Sequence, residues 1–457
     1  MMPPKTNTPE KAYEWTPQPA AFSLIVQILE DFFAACSEAA AFAARMRRET
    51  GTRLIDWIDH IRLNRQDARV ARLDEAGYRP LRSDENGAVF ENSGGLFPPV
   101  FVWSGAMEIA VRVESASDFL AAHQLQREAF GGPLDRLRLC RIYSGRDCAM
   151  TIVERHGTRD FAPAPAGAEQ RIEQLVHMEK FRTRPRSFEN DEEAFAVTNA
   201  LIDNAIRDLG RDTACDLWFA AERDYWMRRN HAARTQKARQ DRLGLGWANQ
   251  DHHTYRSSRK NFKNLVAVWE KLGFHCRERF YAGREAGWGA QVMEQPAAGI
   301  ITFNDVDLTP DELMGDFSHE GLQETPTLGT VGVWCELHGD SIFQAGLHHL
   351  AAMFDFDALA AQLASEAGIK IMKPFTAFPY LRQAFTEGER WAVLPERIEH
   401  LLRQKRITRS QAEQFGANGA LGSHLENLER NDGFKGFNQE GVNAIITATD
   451  PRKNIGA

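Results

Sequence analysis

The chain has no surplus of positive charge. Its 55 Lys and Arg are outnumbered by 63 Asp and Glu, giving a formal net charge of −8. That balance leaves no basic footprint for nucleic acid. Long apolar runs are also missing. The longest, over residues 22–42, is broken by Gln27, Glu30, Asp31 and Glu38, which is too broken to span a bilayer. The opening residues, MMPPKTNTPEKAYEWTP, hold no apolar signal core, so a cytoplasmic location is expected. The six cysteines are scattered and form no C-x-x-C pair. Their spacing argues against a zinc–thiolate site and for reduced thiols.

What is there is an ordinary globular composition, 43% hydrophobic and 26% charged over 457 residues, enough for two or three domains. Residues 1–76 read as a polar tail followed by helices. FSLIVQILEDFFAACSEAAAFAARM and TRLIDWIDHIRL carry their apolar residues at helical spacing. Over 77–165, Gly, Pro and Asn punctuate short β-branched and aromatic runs, which predicts a small α/β unit. FAPAPAGAEQ is a linker by composition. Residues 166–248 then read as a run of long helices.

From 249 the texture changes. DHHTYR is a strand candidate, and SSRKNFKNLVAVWEKLGF is a helix with an N-cap at Ser257 or Ser258 and a stop at Gly273. Three strand patterns follow. FQAGLHHLAAMFDFDALAAQLASEAGIKI then repeats the plan with a second double histidine, a helix, Gly368 and a strand candidate at Ile369. His252 and His348 stand nearly the same distance ahead of Gly273 and Gly368. The spacing predicts an α+β fold with paired βαβββ modules over 249–457. A helical insert at about 395–419 interrupts the second module before a last strand, GSHLENLER.

Strand alternation puts His252, Thr254 and Arg256 on one face and Asp251, His253 and Tyr255 on the other. Arg256 offers a planar fork suited to a carboxylate, although a plain salt bridge is the bland alternative. His348 repeats the position of His252 relative to its helix. One imidazole from each module plus one carboxylate makes the two-His-one-carboxylate set of non-heme iron. The carboxylate candidates are Glu294, Glu387, Glu389 and Glu426, and pattern alone does not choose among them. His253 and His349 read as core or supporting residues.

The segment D-H-x-x-x-R, helix, Gly-Phe resembles the first module of the 2-oxoadipate dioxygenase/decarboxylase (hydroxyglutarate synthase) family, which has a vicinal-oxygen-chelate-like core. His252 and Arg256 match that family's histidine and the substrate-binding arginine four residues later. His348 matches the second-module histidine through HHLAAMFDFD. Leu381-Arg382-Gln383 makes Gln383 similar to a substrate-contacting glutamine. Glu426, followed four residues later by Arg430 in SHLENLERNDGFKGFN, resembles the metal glutamate. The closing GFNQEGVNAIITATD is similar to the family's C-terminal segment. The resemblance covers about 249–457, and Ala352 departs from the family's usual arginine. The unit near 108–156 is weakly similar to a further, degenerate module.

The resemblance implies metal ligands His252, His348 and Glu426, with Arg256 and Gln383 on the substrate. It implies an Fe(II) enzyme that decarboxylates a 2-oxo acid with O2 and hydroxylates the shortened product. Zn, Ni or Mn in the same ligands would suit a glyoxalase-type lyase or isomerase. A decayed site would leave a non-catalytic 2-oxo-acid-binding protein. Neither a nucleic-acid nor a membrane partner is expected.

Overall fold

The computed structural model describes residues 15–85, 87–162, 165–281, 287–438, 445 and 449–453. The first part of the expected tail, the turn expected at 282–283 and much of the closing GFNQEGVNAIITATD segment lie outside them.

The chain opens with α1 (Pro19–Ala35) and α2 (Ser37–Thr50). Pro19 sits in the first turn of α1, where its missing N–H costs nothing. Gly51 ends α2 in the left-handed conformation, φ 65°, that a Cβ disfavours. A seven-stranded sheet follows: β1 (Ile58–Asn64), β2 (Arg79–Asp84), β3 (Gly87–Glu91), β4 (Val100–Trp103), β5 (Met107–Arg112), then α3 (Ala116–Ala122), β6 (Leu137–Ser144) and β7 (Cys148–Arg155). Its order is β2-β3-β4-β1-β5-β7-β6. One face, including Ile61, Leu63, Ile109 and Ile152, is buried in a common core with Leu24, Ile28 and Phe32 of α1 and Phe42 of α2.

Two expectations are corrected here. TRLIDWIDHIRL was expected to be helical, but only a short 3-10 turn at Leu54–Trp57 forms, and β1 begins at Ile58. Leu54, Trp57 and Ile61 fit a helical period, yet Ile61 and Leu63 alternate with His60 and Arg62 across a sheet face. A boundary at 76/77 therefore cuts through one sheet rather than separating two units.

Four helices connect the halves: α4 (Ala168–Arg182), α5 (Asp191–Leu209), α6 (Arg211–Arg228) and α7 (His231–Asp241). The second sheet begins with β8 (Gln250–Arg256), α8 (Phe262–Lys271), β9 (His275–Tyr281), β10 (Trp288–Gln295) and β11 (Ile300–Asp307). After α9 (Thr330–His338) come β12 (His349–Met353), α10 (Phe356–Ala367), β13 (Thr376–Phe378), β14 (Leu381–Phe385) and β15 (Glu389–Trp391). The insert forms α11 (Pro395–Arg403) and α12 (Arg409–Asn418), and β16 (Ala420–Arg430) closes the sheet. The order is β13-β14-β16-β12-β8-β11-β10-β9, with β15 paired to β16. These are the paired βαβββ modules that the sequence predicts. Two local details differ. The cap of α8 is Asn261, without a side-chain bond, while Ser258 instead binds Asp340. No strand forms at Ile369, where only an isolated bridge joins Ile371 to Thr386.

The first sheet repeats the second. In each, the first strand runs parallel to the fourth and antiparallel to the strand that opens the next module. That strand in turn runs parallel to the module's last strand, β7 or β16. Even the edge strand β13 has a counterpart, reduced to one bridge between Phe130 and Leu139. The N-terminal half is thus a second pair of modules, with a short 3-10 turn at Ala68–Arg72 where α8 would stand.

The halves dock through Asp355 at the N-cap of α10, which accepts from Arg47 of α2, and through Arg53, which donates to Arg430 O and Asn431. Among the described residues no single helix is long and apolar enough to cross a membrane. The bent pair α1–α2 reaches that length and composition only jointly.

Candidate metal centre

β8 lies at the middle of the second sheet and divides its side chains between two environments. His253 and Tyr255 face the helices, where both rings meet Phe219 edge-on. His252, Thr254 and Arg256 line a cleft on the other face. Directly paired residues on neighbouring strands share a face. On β12, Ala351 pairs with His252 and His349 with Thr254. On β16, Glu426 pairs with Ala351. The register therefore delivers His252, His349 and Glu426 to one spot.

His349 Nε2 lies 3.1 Å from Glu426 Oε2, and His252 Nε2 lies 3.5 Å from the same oxygen. One ligand atom from each of the three falls within 4.8 Å of the others. Ligand bonds of about 2.1 Å meeting at right angles put neighbouring donor atoms roughly 3 Å apart. The donor set and its spacing thus fit a divalent cation on one face, with positions left open. Of the three expected ligands, the structure brings His252 and Glu426 together. The expectation of His348 is corrected, because His349 is the histidine in register with Thr254.

Each histidine of the triad is backed by its chain neighbour. His252 Nδ1 is 2.8 Å from Asp251 Oδ2, which directs Nε2 at the cluster. His349 Nδ1 is 2.9 Å from His348 Nδ1, and its Nε2 is also 2.8 Å from Thr254 Oγ1. Asp251 is gripped in turn by Arg430, whose Nε and Nη2 donate to its two oxygens at 2.7 and 3.0 Å. The remaining Nη1 of Arg430 donates to Phe434 O and Gly436 O. Gln383 lines the cleft, but its amide nitrogen donates to Glu426 Oε1 at 2.8 Å. Its place is therefore beside the carboxylate as well as on the cleft wall. His253 gives the triad no direct support, since its Nε2 meets Arg223 at 3.3 Å on the opposite face.

The charges follow from this arrangement. Burial pushes the Glu426 carboxyl up, but the two imidazoles more than offset it and hold it down at about 2. Burial lowers the pKa of His252, yet Asp251 and Glu426 raise it to about 9. Burial keeps His348 and His349 below the ordinary histidine value, hence neutral. A metal binds neutral imidazoles and an ionised carboxylate, so its binding would release the proton that Asp251 and Glu426 favour on His252.

Arg256 is 1% exposed, and its guanidinium is held near Asp305 without a hydrogen bond. Nε lies 3.6 Å from Asp305 Oδ2, while Nε, Nη1 and Asp305 Oδ1 have no hydrogen-bond partner among the described residues. Burial raises the Asp305 carboxyl to about 7, against the pull of Arg256. A buried guanidinium with two nitrogens free of hydrogen bonds, at the wall of a cleft, has the chemistry to take an anionic group. Phe280, Trp288, Phe303, Phe385 and Phe437 make the rest of that wall apolar.

Three residues had no part in the sequence reading of the site: Asp305, Thr254 as a partner of His349, and Asp251 as the brace of His252. The last had a legible signal. The N-terminal sheet carries the same Asp-His pair, Asp59-His60, with a 2.7 Å bond between them. Arg155 grips Asp59 with Nε at 2.6 Å and Nη2 at 2.8 Å, as Arg430 grips Asp251. Phe161 meets His60 edge-on at 4.9 Å, as Phe437 meets His252 at 5.2 Å. The other two positions differ. Pairing places Thr151 where Glu426 stands and Glu108 where His349 stands. The N-terminal copy keeps the braced histidine and lacks the rest of the donor set.

No family model matches the chain, and no curated protein matches it. Solved structures overlap it loosely. A mutant of 4-hydroxymandelate synthase from Streptomyces coelicolor is 12% identical, covering 86% of this chain and 97% of that one at a TM-score of 0.26. A glyoxalase superfamily protein from Ralstonia eutropha is 9% identical, covering 58% and 97% at 0.31. Methylmalonyl-CoA epimerase from Mycobacterium tuberculosis is 13% identical, covering 40% and 88% at 0.24. Overlaps of this size carry no weight for the site.

Proposed function

We propose that the protein is an Fe(II)-dependent dioxygenase that oxidatively decarboxylates a 2-oxo acid with O2 and hydroxylates the shortened product. The supporting observation is the facial set His252, His349 and Glu426 beside the Arg256 guanidinium, whose Nε and Nη1 have no hydrogen-bond partner among the described residues. Two imidazoles and one carboxylate with open positions suit non-heme iron better than a closed structural site. Bound Fe(II) would supply oxygen activation and a Lewis-acid grip on a keto acid. The side chains do the remainder. Asp251 and His348 hold the histidines with Nε2 toward the cleft. Gln383 holds the second oxygen of Glu426. Arg256 pairs with a substrate carboxylate, and the aromatic wall excludes water around it.

The test uses protein purified without oxygen, loaded with Fe(II), and supplied with a panel of 2-oxo acids that includes 2-oxoadipate. Oxygen uptake matched by CO2 release is expected, and its loss in His252→Ala, His349→Ala and Glu426→Ala. Turnover that persists without oxygen would replace this reading with a lyase or isomerase using Zn, Ni or Mn. Binding of 2-oxo acids without turnover by iron-loaded protein would reduce it to a non-catalytic binder.

A further inference from the structure

A second cavity, about 590 Å³, lies between the two halves. We propose that it binds a small dianion, a dicarboxylate or a phosphate, on Arg112 and Arg159, and that its occupancy is felt at His252 through Arg430 and Asp251. Its volume is in the range of small-ligand sites. Its wall includes Arg82, Arg112, Arg155 and Arg159 from the N-terminal half and Arg430 and Lys435 from the other.

The acids on that wall are largely engaged. Asp59 is held by Arg155 and His60, and Asp56 by Arg53. Glu294 pairs with Lys435 at 3.3 Å and Arg277 at 3.6 Å. Only the half-buried Glu91 and the exposed Asp160 remain. Among the cations, Arg155 and Arg430 grip their aspartates, while Arg112 makes no hydrogen bond or ion pair among the described residues. It is half-buried at the end of β5, a central strand; burial lowers its pKa, Asp59 and Asp216 favour its charge from nearby, and Arg155 and Arg159 are near enough to oppose it. Arg159 is exposed and likewise without a hydrogen bond or ion pair. The half-buried guanidinium of Arg112 and the exposed one of Arg159, so placed, favour an anion between them.

The link to the metal centre is short. Arg430 forms part of the cavity wall and grips Asp251, which braces His252. An anion in the cavity draws on the Arg430 charge and weakens its hold on Asp251. The binding step stands on this cavity alone, whereas the coupling rests on the metal reading above.

Full-length protein is titrated calorimetrically with glutarate and, separately, with inorganic phosphate. One of the two is expected to bind with one site per chain, and which one does so separates the dicarboxylate from the phosphate. Arg112→Gln should weaken that binding by about tenfold or more, and Arg159→Gln, at an exposed position that folding does not need, should weaken it as well. Glu426→Gln should leave it intact. No binding of either probe, binding indifferent to both arginine variants, or binding lost in Glu426→Gln would overturn the site. Co(II) titrated with and without the bound probe reads the coupling. A changed Co(II) affinity supports it and an unchanged one overturns it. Failure of Co(II) to bind at all would overturn the metal reading and the coupling with it, leaving the binding result to stand by itself.

Discussion

His348 Nδ1 lies 2.9 Å from Nδ1 of His349, so the first histidine of the second doublet, itself on the cleft wall, backs the one whose Nε2 lies beside Glu426. The two triad histidines thus have unlike braces. Asp251 is an ionised carboxylate held low by Arg430 against its burial. His348 is a neutral imidazole. A carboxylate brace makes the imidazole it holds more basic than a neutral brace does.

From that asymmetry, His349→Ala should abolish metal binding, while His348→Ala should weaken it about 10- to 100-fold without abolishing it. Metal content after dialysis, and Co(II) titration of the apoprotein, check both. Equal loss in the two variants would place His348 at the metal itself.

The two braced Asp-His pairs provide an internal control. Asp59→Asn and Asp251→Asn each leave a buried arginine without its ionised partner, and both should cost about 3–5 kcal/mol of stability. Only Asp251→Asn should also weaken metal affinity, by about 10- to 100-fold. Denaturant titration and metal titration on the same preparations separate the two effects. A matching loss of metal in Asp59→Asn would mean that the effect travels through global stability.

Much of the second half was legible in the sequence, and the reasons are local. His252 and Arg256 sit in a strand whose alternation fixes their shared face, and Glu426 sits in a strand with a resembling motif. The choice between His348 and His349 was not legible from the spacing to the following helix. The connection from β8 to α8 has five residues and that from β12 to α10 only two, so counting back from the helices does not align the two strands. Cross-strand pairing, which only the fold supplies, sets the face. The first sheet was harder to see. β1 overlaps a helix-like spacing of Leu54, Trp57 and Ile61, and its module has no long helix to mark the repeat. Asp305 was invisible because its meaning lies in the unsatisfied partner across the strand pair.

Asp305 should set a pH dependence on substrate binding. Its carboxyl, raised to about 7 by burial against the pull of Arg256, is protonated below that pH and ionised above it. The ionised form competes with an anionic substrate for Arg256. KM for a 2-oxo acid should therefore rise as pH climbs through about 7, and Asp305→Asn should flatten the rise. Arg256→Met should raise KM by about tenfold or more, because a hydrogen bond to a charged group is lost. Arg256→Lys should rescue only part of it, because a point charge cannot reproduce the fork. A KM profile that is flat in the unsubstituted protein would remove Asp305 from substrate binding.

His156 tests how the N-terminal sheet is fastened to the helical segment. Its Nε2 meets Glu154 Oε1 at 2.9 Å and its Nδ1 meets Asp216 Oδ2 on α6 at 3.1 Å. Burial lowers its pKa, but the two carboxylates overcome that and raise it to about 10. In the unfolded chain the value returns to about 6.5. The folded pKa exceeds the unfolded one, so the stabilisation is complete below about pH 6.5. It is lost progressively as pH rises toward 10 and is gone beyond that. By linkage the full effect is on the order of 4 kcal/mol. His156→Gln should therefore unfold at much lower urea than the unsubstituted protein at pH 6, and the two curves should converge above pH 10. A gap between them that stays constant from pH 6 to 10.5 would mean that His156 contributes packing rather than charge.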